Sequence, residues 1–210
     1  MTKILIADDH AIVRKGLKET LEEELGQLIF GEASNGREVL EQVRREKWDL
    51  VLLDIGMEGR SGLETLEEIR KASPRLPVVI ISMYSETEFG VRALKLGAAG
   101  YLSKQSAADE LVNAVKRVLG GGRYITPALA ESLALQLQGE SQKPLHESLS
   151  NREIQVMRMI ALGKSLKEIA DELCISVKTV GTYHTRLLSK MDMRSDVELT
   201  RYAMLNKLVD

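Results

Sequence analysis

Two periods alternate along the first 120 residues. Short aliphatic and β-branched runs recur at 4–7, 28–30, 50–53 and 78–81, with a brief one at 101–102. Between them, apolar residues fall at helical spacing: Ile12, Val13, Leu17 and Leu21; Val39, Leu40 and Val43; Leu63, Leu66 and Ile69; Val91, Leu94 and Leu96; and Leu111, Val112, Val115 and Val118. A 3.6-residue period marks amphipathic helices, whereas short continuous apolar runs mark strands buried on both faces. Five such βα units in succession predict an α/β doubly wound, five-stranded parallel sheet with helices on both sides. Ser85 and Glu88 have the spacing of a capping box, which marks a helix start.

Gly120, Gly121 and Gly122 stop the fifth helix, and Pro127 opens a short one over 128–137. Residues 139–148 are polar and rich in structure breakers, the composition of a linker. Beyond them only the helical period remains. Ser150 with Glu153 and Ser165 with Glu168 match capping boxes, and Ser176 is an N-cap. They predict helices at 151–162, 166–173 and 177–191, with a fourth near 195–207. The chain therefore divides into an α/β domain (1–122), a linker carrying a short helix (123–148) and a small all-α four-helix domain (149–210).

Composition narrows the class. Apolar residues make up 44% and charged residues 29%, values that suit a globular chain and exclude global disorder. No apolar run approaches the ~18 residues that would predict a membrane span. The N-terminus, MTKILIADD, turns acidic where a signal peptide would stay apolar, so secretion is not expected. The single cysteine, Cys174, permits no internal disulfide and suits a reducing, cytoplasmic setting. Lying among Ile169, Leu173 and Ile175, it is expected in the core. Net charge is −2 but uneven, −4 over 1–147 and +2 over 148–210. The basic excess gathers in 176–194, where Lys178, Arg186, Lys190 and Arg194 face only Asp192, and it points to an anionic partner.

In a parallel α/β sheet, ligands bind beyond the carboxyl ends of the strands. Those ends here carry Asp8–Asp9, Asp54, Ser82 and Ser103–Lys104. Three carboxylates at one edge repel one another unless a cation sits among them. Mg²⁺ answers that need, being satisfied by few carboxylates, several waters and phosphate oxygens. A carboxylate beside such an ion can attack a phosphoryl group, while Lys104 neutralises phosphoryl oxygens and Ser82 hydrogen-bonds one.

ILIADDH, LVLLDIGM, VVIIS and GYLSK, in that order on those elements, resemble a response-regulator receiver domain. The resemblance implies Asp54 as phospho-acceptor, with a sensor histidine kinase as donor. It implies Mg²⁺ held by Asp9, Asp54 and the Gly56 carbonyl, with Asp8 acting mainly through a water. Ser82 and Tyr101 resemble the family's switch pair, in which the ring turns inward once the hydroxyl engages the phosphoryl group. Two positions depart from the pattern: Glu58 stands where proline is usual, and Gln105 follows Lys104 where proline and a cis peptide are frequent.

Residues 165–191 place two helices about a short turn at 173–176. The second commits Val177, Val180, Leu187, Leu188 and Met191 to packing and offers Lys178, Thr179, Thr182, Thr185, Arg186 and Lys190 elsewhere, a basic, hydroxyl-rich surface suited to a major groove. LSNREIQVMRMIALGKSLKEIADELCISVKTVGTYHTRLLSKM resembles the LuxR-type helix-turn-helix of the NarL/FixJ regulators. One departure is Gly181, where many members direct a polar or basic side chain at the groove.

The resemblances imply a transcription regulator whose phosphorylation drives a homodimer onto double-stranded DNA. It would catalyse only its own phosphoryl acceptance and loss, and would have no membrane partner. Two rivals remain. A phosphatase would also use an Asp nucleophile with Mg²⁺, but the position two residues on, which would carry a general acid, is Gly56. A phosphorylation-independent DNA-binding protein would keep the receiver only for dimerisation.

Overall fold

Each apolar run forms a strand, and all five lie parallel: β1 (Thr2–Ala7), β2 (Leu28–Ala33), β3 (Leu50–Asp54), β4 (Val78–Ser82) and β5 (Gly100–Ser103). Their order in the sheet is β2-β1-β3-β4-β5. The computed structural model describes residues 1–57, 61–84, 86–105, 107–137, 145–206 and 208–209, which form two units, Met1–Gln138 and Gly139–Asp210. β3 and β4 are buried along their whole lengths, as strands covered on both faces must be. The order reverses between β1 and β3, so the crevice for a ligand opens where Asp8 and Asp54 end their strands.

Helices α1 (Ala11–Leu25), α2 (Gly36–Arg45), α3 (Gly62–Ala72), α4 (Val91–Lys95) and α5 (Ala107–Leu119) connect the strands. Local chemistry sets their starts. Asn35 caps α2 by accepting from Glu38 N at 3.0 Å, and Ser61 with Glu64 forms a capping box on α3. Gly62 lets α3 begin against the end of β3, since a Cβ there would stand 2.0 Å from the Asp54 carbonyl oxygen. A π-helical turn, Glu86–Gly90, precedes α4. The box expected from Ser85 and Glu88 lies outside the described residues, as do Glu58 and residues 139–144 of the expected linker. Among the described residues no peptide bond is cis.

The expected linker does not begin at 123. Tyr124 bridges Gly100 and extends the sheet edge, its N–H bonding Ala99 O at 2.9 Å. Thr126 bonds Glu86, and Leu129 of the next helix, α6 (Pro127–Leu137), is fully buried. Leu129 packs on Gly90, where an added Cβ would lie 2.8 Å from its Cδ1. Residues 123–137 therefore belong to the first unit, because α6 buries Leu129 against this surface.

The second unit packs four helices, α7 (Asn151–Ala161), α8 (Leu166–Glu172), α9 (Val177–Met191) and α10 (Asp196–Leu205). Capping boxes Ser150–Glu153 and Ser165–Glu168 open α7 and α8, and Ser176 caps α9 by accepting from Thr179 N at 3.1 Å. Val156, Met157, Ile169, Val180, Leu187, Met191, Leu199 and Ala203 form its core. Two sequence expectations fail. Cys174 is exposed: it takes a left-handed φ of 50° at the end of α8, which turns its side chain out of the core. Val177, the first residue of α9, is 48% exposed.

Candidate functional site

β1 and β3 end side by side, and Lys104, just past β5, reaches across to both. Its Nζ lies 2.6 Å from Asp8 Oδ2 and 2.9 Å from Asp54 Oδ2, with all three side chains at least 88% buried. The Lys104 N–H bonds Ser82 O at 2.7 Å, which locks the reach in place. Asp54 Oδ1 accepts from Gly56 N at 3.1 Å. Asp8 Oδ1 accepts from His10 N at 2.8 Å. Asp8, Asp9 and His10 bring their ligating atoms within 4.8 Å of one another, and Asp54 is not part of that group.

Charge does not balance in this pocket. Burial pushes the Asp54 pKa above the ordinary carboxylate range, and the neighbouring charge of Asp8 adds to it, against Lys104 and the Gly56 N–H. Burial disfavours the Lys104 ammonium, but Asp54 and Asp8 outweigh it and hold its pKa above the usual lysine value. One ammonium thus serves two buried carboxylates, with Asp9 alongside. Asp9 Oδ1 is buried with no hydrogen-bond partner; His10 Nδ1 stands 2.6 Å away but outside hydrogen-bonding geometry. An orphaned carboxylate oxygen in an acidic pocket fits a hard divalent cation.

Ser82 is fully buried, and its Oγ accepts from Tyr84 N at 3.1 Å. Tyr101 is also fully buried, and its hydroxyl donates to Tyr84 O at 2.8 Å. Tyr84 therefore links the expected switch pair, and its ring stacks on Phe89 with centroids 4.7 Å apart. The ring of Tyr101 already occupies the inward position.

On α9, Lys178, Thr182, Thr185 and Arg186 are exposed along one flank, at i, i+4, i+7 and i+8. Thr182 and Thr185 donate to the carbonyls four residues back, at 3.0 and 2.9 Å, which leaves their oxygens to accept. Thr179 is half-buried and bonds Ser176 Oγ, so it serves the cap. Lys190 lies apart from this set: its Nζ bonds the buried carboxylate of Glu153 at 2.7 Å. Gly181 is open, with nothing within 4 Å of an added Cβ.

Sequence reasoning overlooked three participants. His10 follows the acidic pair directly, and that adjacency was a usable signal. Tyr84 sits two residues past Ser82, on a loop whose path no period reveals. Arg14 donates to Asp8 O at 2.7 Å from the first turn of α1, a contact visible only once α1 is docked.

Comparison with known proteins agrees with this geometry. Residues 4–116 match the family model of the response regulator receiver domain, and 147–203 that of bacterial regulatory proteins of the luxR family. The chain belongs to the response regulators of the NarL/FixJ type, in which a receiver domain is joined to a LuxR-type DNA-binding domain. It is 39% identical to the response regulator GacA of Pseudomonas aeruginosa, over 100% of this chain and 99% of that one. It is 37% identical to the response regulator UvrY of Escherichia coli, over 99% and 96%. In fold it resembles RcsB of Salmonella enterica serovar Typhimurium, in a structure bound to promoter rprA in the presence of phosphomimetic BeF3⁻. The TM-score there is 0.63 at 24% identity, covering 96% of this chain and 98% of that one. Among the described residues no helix is long and apolar enough to cross a membrane.

Proposed function

We propose that Asp54 accepts a phosphoryl group from a sensor histidine kinase and that this controls sequence-specific binding of double-stranded DNA by α9. The observation that carries the reading is Lys104 spanning Asp8 and Asp54 at the switch point of the sheet. An Asp54 carboxylate oxygen attacks phosphorus in line as the bond to the donor nitrogen breaks, and the imidazole leaves with the electron pair. Lys104 is placed to meet the oxygens of the transferred group, and Ser82 to donate to one of them after releasing Tyr84 N. Asp9, Asp54 and the Gly56 carbonyl would hold Mg²⁺, with Asp8 acting through a water. The ion, when bound, supplies positive charge against the phosphoryl oxygens. The only chemistry proposed is this self-phosphorylation and its hydrolytic reversal.

Lys178 and Arg186 meet phosphates or guanine, and Thr182 and Thr185 meet phosphates or thymine methyls. Thr179 and Lys190 act indirectly, through the cap and through Glu153. A single copy presents one reading helix, so useful specificity needs two. On α10, Val197, Met204 and Leu205 are 78%, 57% and 74% exposed, and this apolar strip is the surface offered to a second copy. With DNA as partner, the protein acts in the cytoplasm.

Incubation with Mg²⁺ and acetyl phosphate tests the reading. One acid-labile phosphoryl group is expected, lost with chelator and in Asp54→Asn, together with tighter DNA binding and a shift from monomer to dimer. Labelling that survives in the Asn variant places the acceptor elsewhere. The buried ring of Tyr101 favours a second reading, in which the protein binds DNA without phosphorylation. Equal mass and equal DNA affinity with and without phosphodonor would establish it.

A further inference from the structure

Asp8 is held by its main chain as well as by its side chain. Its N–H bonds Ala33 O at 3.1 Å, which continues the β1–β2 ladder one residue past the strand. Its C=O accepts from Arg14 Nη1 at 2.7 Å. Arg14 is itself fixed, because its Nε donates to Glu32 Oε2 at 2.8 Å, and Lys18 bonds the other oxygen of that carboxylate. The Arg14 side chain is 15% exposed, so its guanidinium is well removed from water. Lys18 and Arg14 together hold the Glu32 carboxyl below its ordinary pKa, against the opposing effect of burial.

This contact falls where the chain leaves β1 and must turn Asp9 toward the pocket. The Asp8–Asp9 peptide plane carries both the carbonyl that Arg14 holds and the N–H of Asp9. Fixing that carbonyl fixes the direction in which Asp9 departs. Asp9 Oδ1 is buried without a hydrogen bond, and the group nearest it, His10 Nδ1 at 2.6 Å, belongs to the next residue of the same corner. The orientation of Asp9 therefore rests on the backbone. A planar guanidinium is suited to this task, since one fork reaches a carbonyl and a carboxylate at once in fixed geometry. An ammonium at position 14 could satisfy one of the two.

We infer that Arg14, anchored by Glu32, is a positioning residue that sets the Asp8–Asp9 corner for cation binding. The inference rests on the reading of the acidic pocket as a Mg²⁺ site. It predicts that loss of the Arg14 fork weakens cation binding without touching Asp54, Lys104 or Ser82. Outer groups that orient ligands are worth roughly ten- to a hundredfold in metal affinity, and about tenfold is expected for Arg14→Ala. Arg14→Lys should fall between Ala and the wild type, and Glu32→Gln should weaken binding less than Arg14→Ala.

The test uses the full chain. Mg²⁺ affinity is measured by titration calorimetry and by the dependence of melting temperature on Mg²⁺, beside the Mg²⁺ concentration for half-maximal phosphorylation by acetyl phosphate. Lys15→Ala serves as the control: it removes the same charge from the next residue of α1, where Lys15 is 67% exposed and among the described residues pairs only with Glu19 at 3.6 Å. The expected result is a roughly tenfold rise in both Mg²⁺ constants for Arg14→Ala, with the phosphorylation rate recovered at saturating Mg²⁺ and Lys15→Ala unchanged. A merely structural role would lower the melting temperature in chelator and leave both Mg²⁺ constants where they were; that outcome overturns the inference. If the wild-type chain itself binds no Mg²⁺, the reading of the pocket fails instead, and the two failures are told apart by the wild-type titration alone.

Discussion

Lys190 Nζ donates to Glu153 Oε2 at 2.7 Å, joining the last turn of α9 to the first turn of α7. The same carboxylate accepts from Ser150 N at 2.6 Å and so closes the box that starts α7. One buried carboxylate thereby ties the end of α9 to the start of α7. Although burial pushes the Glu153 pKa up, Lys190 and Ser150 outweigh it and hold the carboxyl below its ordinary range. A carboxyl depressed in the folded state contributes stability above its unfolded pKa of ~4.3, which is lost as pH falls through the folded value. Glu153→Gln should cost about 1–3 kcal/mol at pH 7. The difference from the wild type should shrink on acidification through that window. Urea denaturation at several pH values checks both; a constant difference would mean that Glu153 acts by shape, not by charge.

Lys104 supplies the only ammonium bonded to Asp8 and Asp54 among the described residues. Lys104→Met leaves two buried carboxylates without it, and removing one partner of a buried pair costs roughly 3–5 kcal/mol. Asp54 already has a raised pKa. Without Lys104 it rises further, and a carboxyl raised in the folded state loses stability as pH climbs through that pKa. The variant should therefore regain stability toward acid pH. Millimolar Mg²⁺ should also restore part of the loss, and chelator should abolish the restoration. A variant as stable as the wild type in chelator at pH 7 would contradict the charge imbalance argued for the pocket.

Gly181 lies in the middle of α9 with open space where a Cβ would be. Gly181→Ala should stabilise the protein by roughly 0.5–1 kcal/mol, through the entropy that glycine loses in a helix. DNA affinity decides why glycine stands there. A tenfold or greater loss in the more stable variant would assign the position to close approach of the helix backbone to DNA. Unchanged affinity would move base reading to Lys178, Thr182, Thr185 and Arg186.

Leu205 is 74% exposed on α10, so a charge placed there meets water and not the core. Leu205→Glu should leave folding within about 0.5 kcal/mol of the wild type, as surface substitutions do. It should prevent the dimer proposed to follow phosphorylation and weaken DNA binding in proportion, with labelling of Asp54 undiminished. Sedimentation and electrophoretic mobility on one preparation report both. A phosphorylated variant that still dimerises would remove α10 from the interface.

The chemistry of this protein was legible wherever it depended on neighbours close in sequence. Alternating periods gave the strands and helices, because burial on one face or on two repeats at 3.6 or in a run. Ser150, Ser165 and Ser176 announced three helix starts, because a cap and its N–H donor lie within three residues. The strand-end residues Asp8, Asp9, Asp54, Ser82 and Lys104 were identifiable because a parallel sheet gathers its carboxyl ends at one edge. What required the tertiary structure was which of them meet. The order β2-β1-β3-β4-β5 sets β1 against β3, and the reach of one lysine then joins Asp54 to Asp8, while Asp9 lies beside Asp8 and His10. Lys190 is a surface cation by its spacing, but the docking of α7 supplies Glu153 as its partner. Cys174 belongs to the core by its apolar neighbours, and a single left-handed backbone angle turns it to solvent. Arg14 looks like any charge on an amphipathic helix until α1 packs and its fork finds Asp8 and Glu32. Periodicity fixes the face on which a side chain stands; partners distant in sequence are chosen by how the elements dock, since each such contact closes a long loop that no local pattern encodes.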